Sequence, residues 1–261
     1  MTKRDSSLAA FGRLLDIMDA LREKCPWDRE QTTESLRPLT IEETYELSDA
    51  ILKEQPHEIA KELGDILLHI VFYAKIGEEQ KTFDMEEVID KLCNKLVYRH
   101  PHVFGAVAVK DAGEVVENWE QLKQTEKDGN KTVLSGVPSG LPALIKAYRV
   151  QDKVRAVGFD WEQKEQVWDK VEEELAEFKS EKLKGDTQNM EAEFGDLLFS
   201  LVNAARLYDI NPETALEHTN RKFIRRFGYL EAQTLKKGRS LKDMSLAEMD
   251  AIWEEAKWNI G

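Results

Sequence analysis

Cysteine is nearly absent: Cys25 and Cys93 are the two in 261 residues. That is too few for a disulfide framework or a four-thiolate zinc site, and a reducing, cytoplasmic setting is expected. Proline is scarce at 7 residues, which leaves long stretches free of helix breakers. No apolar run approaches the ~18 residues a membrane span needs. The opening stretch, MTKRDSSLAAFGRLLDIMDAL, lacks an apolar core followed by small cleavage residues, so neither a signal peptide nor membrane association is expected. Cations are outnumbered, 37 Lys and Arg against 50 Asp and Glu, a net charge of -13. Binding a nucleic-acid polymer needs the opposite balance. The glycine cradles G-x-x-x-x-G-K-[ST] and G-x-G-x-x-G are also missing, so a bound phosphate would need metal ions, Lys and Arg instead.

What the chain does contain, it contains twice. Shifting it by 131 residues aligns EETYE at 42–46 with EELAE at 173–177, and ELGD at 62–65 with EFGD at 193–196. Residues 42–76 and 173–207 share 11 identities in 35 without a gap. PWDREQ at 26–31 recurs as GFDWEQ at 158–163, KLVYR at 95–99 as KFIRR at 222–226, and WEQLK at 119–123 as WEEAK at 253–257. Residues 126–142 hold three glycines and two prolines and read as a linker. The expected organisation is an N-terminal domain at 1–125, this linker, and a C-terminal domain at 143–261. Apolar residues recur at three and four spacing. Leu63, Ile66, Leu67, Ile70, Val71 and Ala74 make a stripe that Phe194, Leu197, Leu198, Leu201, Val202 and Ala205 repeat. Ile89, Leu92, Cys93 and Leu96 continue the pattern. VFGAVAVK at 103–110 is the nearest thing to a strand, and its neighbours favour a loop. The fold class is therefore all-α, a tandem duplication of a bundle of about four helices.

The sharpest motif is E-E-x-x-E, fifteen residues, then E-x-x-D, in both copies. Side chains three and four apart share a helix face. A turn near Gly185 lies eight residues from both Glu177 and Glu193, and Glu54-Gln55-Pro56 holds the same place in the first copy. In an antiparallel hairpin both acid pairs stand about 12 Å from the turn, at ~1.5 Å per residue, and level with each other. Four or five carboxylates then converge, a self-repelling cluster that a cation relieves. All-oxygen ligands suit Mg²⁺ or Mn²⁺, and no thiolate or imidazole has matching spacing for zinc. The metal candidates are Glu174, Glu177, Glu193 and Asp196, with Glu43, Glu46, Glu62 and Asp65 as the N-terminal set. The competing reading is a solvated acidic helix face, common for one E-x-x-E and less so for two copies at identical spacing.

This duplicated set, with PWDREQT near the start, RRF at 225–227 and the terminal WEEAK, resembles the MazG family of all-α nucleoside triphosphate pyrophosphohydrolases. The resemblance covers nearly the whole chain. It implies Mg²⁺-dependent hydrolysis of nucleoside triphosphates to monophosphates and pyrophosphate, broad base tolerance, and a homodimer. Within that reading Glu173 is the candidate general base. Lys170, Lys222, Arg225, Arg226 and Lys257 are candidate phosphate ligands, and Trp253 a candidate base platform. The N-terminal copy keeps Lys95, Arg99, Trp119 and Lys123 but has Leu39 opposite Lys170 and Tyr98 opposite Arg225. A triphosphate loses two of five cations there, so the C-terminal copy is expected to be the main catalytic site. Surface charge and core tryptophans remain the alternatives for these residues. His69 reads as a packed core histidine, and His100 and His102 receive no role. A di-iron oxidase would need Glu-x-x-His on two helices. Glu54 to His57 is the sole such spacing, and Pro56 interrupts it. A helical adaptor without activity stays open at this stage.

Overall fold

A computed structural model describes residues 2–259 except 112, 116, 117, 120, 121 and 123–131. The chain divides into two compact units, Met1–Ala108 and Val109–Gly261. Among the described residues there is no strand, and the fold is all-α as expected. The expected linker falls partly outside the described residues, and its remainder is turns leading into the next helix.

The N-terminal unit runs α1 (Lys3–Lys24), α2 (Pro26–Glu30), α3 (Thr33–Leu52), α4 (Pro56–Glu79), α5 (Met85–Arg99) and α6 (Pro101–Phe104). Its helix starts are specified locally. Thr2 and Asp5 exchange hydrogen bonds at the head of α1, Thr32 and Ser35 do so at α3, and Asp84 accepts from the Glu87 amide at α5. Each device satisfies amides that a helix start leaves unpaired. Between α3 and α4 the chain turns through Glu54 at φ 53, so the two helices form the expected hairpin. Met18, Leu36, Val71, Phe72 and Ile76 are its buried core, with Leu39, Leu68 and Tyr73 packed against them. Each such side chain contributes roughly 1.5–3 kcal/mol when fully buried. Arg22 ties the corner together, bonding the Glu79 carboxylate at 2.9 Å and the carbonyls of Asp28 and Gln31. His69 is buried, as expected, and shares a hydrogen-bond chain with the Thr40 hydroxyl (2.9 Å), which in turn meets the Tyr73 hydroxyl (2.7 Å).

The C-terminal unit contains α7 (Ala143–Arg155), α8 (Val167–Lys184), α9 (Thr187–Leu207), α10 (Pro212–Lys236) and α11 (Leu246–Asn259). Gly185 ends α8 at φ 74, a left-handed conformation that favours glycine, and Asp186 caps α9 by accepting from the Gln188 and Asn189 amides. The hairpin α8–α9 thus repeats α3–α4. Val167, Val171 and Ala204 form its core with Leu197 and Leu207. α10 packs on α11 through the buried Leu230, Thr234, Ile252 and Ala256. Arg206 is buried and forks onto Asp160 at 2.5 and 3.0 Å, while two of its nitrogens also donate to Asn203 Oδ1.

The apolar stripes are split in a way the sequence does not announce. Val71 and Val202, equivalent under the 131-residue shift, are buried. Leu63, Leu67 and Ile70 on α4, and their equivalents Phe194, Leu198 and Leu201 on α9, are 38–51% exposed. Ile89, Leu92 and Leu96 on α5 are exposed as well. Each hairpin buries one edge of its stripe and leaves the other uncovered, at the same positions in both copies.

Candidate metal centre

The hairpins bring the acids together. In the C-terminal unit Glu174 and Glu177 of α8 and Glu193 of α9 each present a carboxylate oxygen, all within 4.8 Å of one another. In the N-terminal unit Glu43 of α3 and Glu62 and Asp65 of α4 do the same. Two of each trio, Glu43 and Glu62 or Glu174 and Glu193, are repeat equivalents. Asp196 and Glu46 stand outside these closest groups. Both remain near enough for their charge to be felt by a cluster member.

The electrostatics are those of a crowded anion site. Partial burial, then the charges of Glu177, Asp196 and Glu174, raise the pKa of Glu193 above the ordinary carboxylate range. Burial, then Asp65, Glu46, Glu62 and Glu42, raise Glu43 likewise. Glu62 is buried, and its Oε2 has no hydrogen-bond partner among the described residues. Three oxygen donors, mutual repulsion and an unsatisfied buried acceptor fit a hard divalent cation such as Mg²⁺.

Lysines partly balance each cluster, differently in the two copies. Lys61 meets Glu62 at 2.8 Å, and its equivalent in the C-terminal copy is Ala192. Lys170 meets Glu174 at 2.7 Å and Glu173 at 3.0 Å, which holds its ammonium well above the usual lysine range. Lys170 is thus engaged by carboxylates in this state, and Glu173 is 55% exposed on its side chain and outside the trio of closest carboxylates.

The remaining candidates lie on α10 and α11. Lys222 and Arg225 are exposed, and Arg226 is half-buried with its Nε unpartnered among the described residues. Trp253 packs its ring 4.9 Å from that of Phe223, and Lys257 pairs with Glu254. No ion pair or hydrogen bond links these five to the acids of α8 and α9 among the described residues. In the N-terminal set Lys95 is exposed, Arg99 and Trp119 are half-buried, and Lys123 lies outside the described residues. Trp119 falls beyond Ala108, past the end of the first compact unit.

Sequence reasoning missed a cavity of about 670 Å³ beside the C-terminal cluster. Glu174, Asp196 and Lys170 contribute to its wall, and so do Gln151, Phe159, Trp161, Phe199, Asn203 and Arg206. The N-terminal unit offers instead an open hollow of about 1070 Å³ whose lining includes Glu42, Glu46, Asp49, Glu58 and Glu62.

The profile of the MazG nucleotide pyrophosphohydrolase domain matches this chain twice, at residues 31–104 and 162–229, and each match contains one acid hairpin. The chain belongs to the MazG family. It is 44% identical over 250 residues to the nucleoside triphosphate pyrophosphohydrolase/pyrophosphatase MazG of Thermotoga maritima, covering 95% of both chains. To the nucleoside triphosphate pyrophosphohydrolase of Escherichia coli K12 it is 39% identical over 252 residues, 94% of this chain and 96% of that one. It also matches YabN of Bacillus subtilis, 48% identical over 95% of this chain and 51% of that longer protein. Membership makes the chain a hydrolase of the nucleoside triphosphate pyrophosphohydrolase class. The two MazG matches place the duplication where the repeat arithmetic puts it. Among the described residues no helix is long and apolar enough to cross a membrane.

Proposed function

We propose that this MazG protein hydrolyses nucleoside and deoxynucleoside triphosphates to monophosphate and pyrophosphate, with Mg²⁺ or Mn²⁺ and with broad base tolerance, in the cytoplasm. The observation that carries the reading is the convergence of Glu174, Glu177 and Glu193 within 4.8 Å on a family-matched hairpin. These three, with Asp196, would hold Mg²⁺, which when bound supplies Lewis-acid polarisation of a phosphoryl oxygen.

The chain's own side chains supply the rest. Lys170 lies one turn before the cluster and is divided between Glu173 and Glu174. Transfer of its ammonium to a phosphate oxygen would leave Glu173 an unpaired base for the attacking water. One movement then serves both the binding role of Lys170 and the base role of Glu173. Lys222, Arg225, Arg226 and Lys257 supply further charge to the phosphates, and Trp253 a face for the base. We assign the main activity to the C-terminal copy, within the expected domain at 143–261.

The uncovered stripes favour a homodimer. Six equivalent apolar side chains are 38–51% exposed on α4 and α9, and burying them against a second chain removes that surface from water. The test of the reaction is product identity: mixed triphosphates with Mg²⁺ should yield pyrophosphate. Orthophosphate would replace this reading with a simple triphosphatase, and no turnover with Mg²⁺ or Mn²⁺ would favour a non-enzymatic adaptor.

A further inference from the structure

The structure assigns the hollow of the N-terminal unit to a linear organic polycation, an aliphatic polyamine whose ammonium groups its carboxylates hold. Binding there needs neither the reaction nor the metal proposed above. Six acids line the hollow, Glu42, Glu46, Asp49, Glu54, Glu58 and Glu62, against one lysine, Lys53. Lys53 is already committed to Asp49 at 2.5 Å. Glu42, Glu46 and Glu54 have no ion-pair partner among the described residues.

Crowded surface acids alone select no ligand, and Glu62 supplies the second observation. It is 4% exposed and lines the hollow. Its Oε1 takes the Lys61 ammonium at 2.8 Å, while its Oε2 has no partner among the described residues. A buried carboxylate oxygen left unmatched is costly and marks a place where a donor belongs. Lys61 and Lys53 show that acids of this lining take ammonium groups directly.

Spacing favours an extended cation over a single ion. Among the described residues, Glu42, Glu46, Asp49, Glu54 and Glu58 belong to no group of three ligands within 4.8 Å. Glu42, Glu46 and Asp49 instead follow one another along α3 at about 6 and 4.5 Å, from ~1.5 Å per residue, and Glu58 and Glu62 repeat the longer step on α4. Nitrogens joined by three or four methylenes stand about 5–6 Å apart, given bonds of about 1.5 Å. Tyr45, 56% exposed on the same lining, offers a ring face to a cation.

The C-terminal copy lacks this set. Under the 131-residue shift Asp49 becomes Ser180, Glu54 becomes Gly185, Glu58 becomes Asn189 and Tyr45 becomes Ala176, while Ile51 becomes Lys182. Three acids and the aromatic face are thus confined to the copy that has Leu39 opposite Lys170 and Tyr98 opposite Arg225. That copy has exchanged cations suited to phosphate for acids suited to ammonium.

The test is calorimetric titration of the full chain with spermidine, putrescine and the eight-carbon diamine. Mg²⁺ is kept in excess, and physiological salt screens non-specific attraction. Spermidine should bind at one site per chain, and putrescine should bind more tightly than its longer homologue. Asp49→Ser with Glu58→Asn, which installs the C-terminal copy's residues, should weaken spermidine roughly tenfold, the worth of two exposed ion pairs. Lys53→Ala removes the competing ammonium and should tighten spermidine roughly threefold, a direction that a folding defect does not produce. No binding, binding abolished by Mg²⁺, equal affinity for the two diamines, or either variant matching the wild type would overturn the assignment.

Discussion

Placing a lysine at position 192 should weaken metal binding at the C-terminal centre, because the N-terminal copy has a lysine at the equivalent position and that lysine pairs with a cluster carboxylate. Lys61 sits 2.8 Å from Glu62, and the aligned residue beside Glu193 is Ala192. In Ala192→Lys a new ammonium would stand ~6 Å from a divalent ion on Glu193, an unfavourable interaction of about 3 kcal/mol at an effective dielectric of ~40. Lys61 is 56% exposed, so solvent and salt must discount that figure. Halving it leaves about 1–2 kcal/mol, or about a five- to thirtyfold weaker Kd for Mg²⁺. The measurement is a calorimetric Mn²⁺ or Mg²⁺ titration in a Glu43→Gln, Glu62→Gln background, which isolates the C-terminal centre. Activity should fall at low metal and recover at high metal. An unchanged Kd, or a loss of activity that added metal does not rescue, would refute the electrostatic reasoning.

Three further outcomes are expected. Asp160→Asn removes the charge facing buried Arg206 and should cost about 3–5 kcal/mol, read by urea unfolding. Burial pulls the Asp160 carboxyl upward, but its bonds from Arg206 and the Trp161 amide prevail and hold it below the usual range. Its contribution is therefore present above the ordinary aspartate pKa and lost as pH falls through the lowered value, a dependence that Asp160→Asn should abolish. Leu198→Glu and Leu67→Glu should shift sedimentation from dimer toward monomer, and a dimer unaffected by both would remove the stripes from the interface. Lys222→Ala should raise KM with little change in kcat if the ammonium holds phosphate in ground and transition state alike, and unchanged kinetics would return it to surface charge.

Much of this architecture is legible because its causes are local. Apolar spacing, capping pairs such as Thr32 with Ser35, and Gly185 at the turn fix helices and hairpin within a few residues of themselves. The acids follow, since two E-x-x-E-type pairs equidistant from a turn must meet when the hairpin closes. The same spacing marks Leu63 and Val71 alike as apolar, while coverage depends on which helix packs where, so one is half-exposed and the other buried. The engagement of Lys170 by Glu173 and Glu174 is a choice of rotamer among several carboxylates. The cavity is a volume left unfilled by distant segments, α7 and α9, and no single stretch encodes it. Its one sequence trace is the exchange of Phe72 for Asn203 between copies, readable only by comparing side-chain volumes across the repeat.

The most direct test of the central claim is product analysis with one acid neutralised in each copy. With Mg²⁺ and a nucleoside triphosphate, the wild type should release monophosphate and pyrophosphate in equal amounts. Glu174→Gln should abolish that release, while Glu43→Gln should retain most of it. Equal losses from the two substitutions, or orthophosphate as the product, would contradict the account.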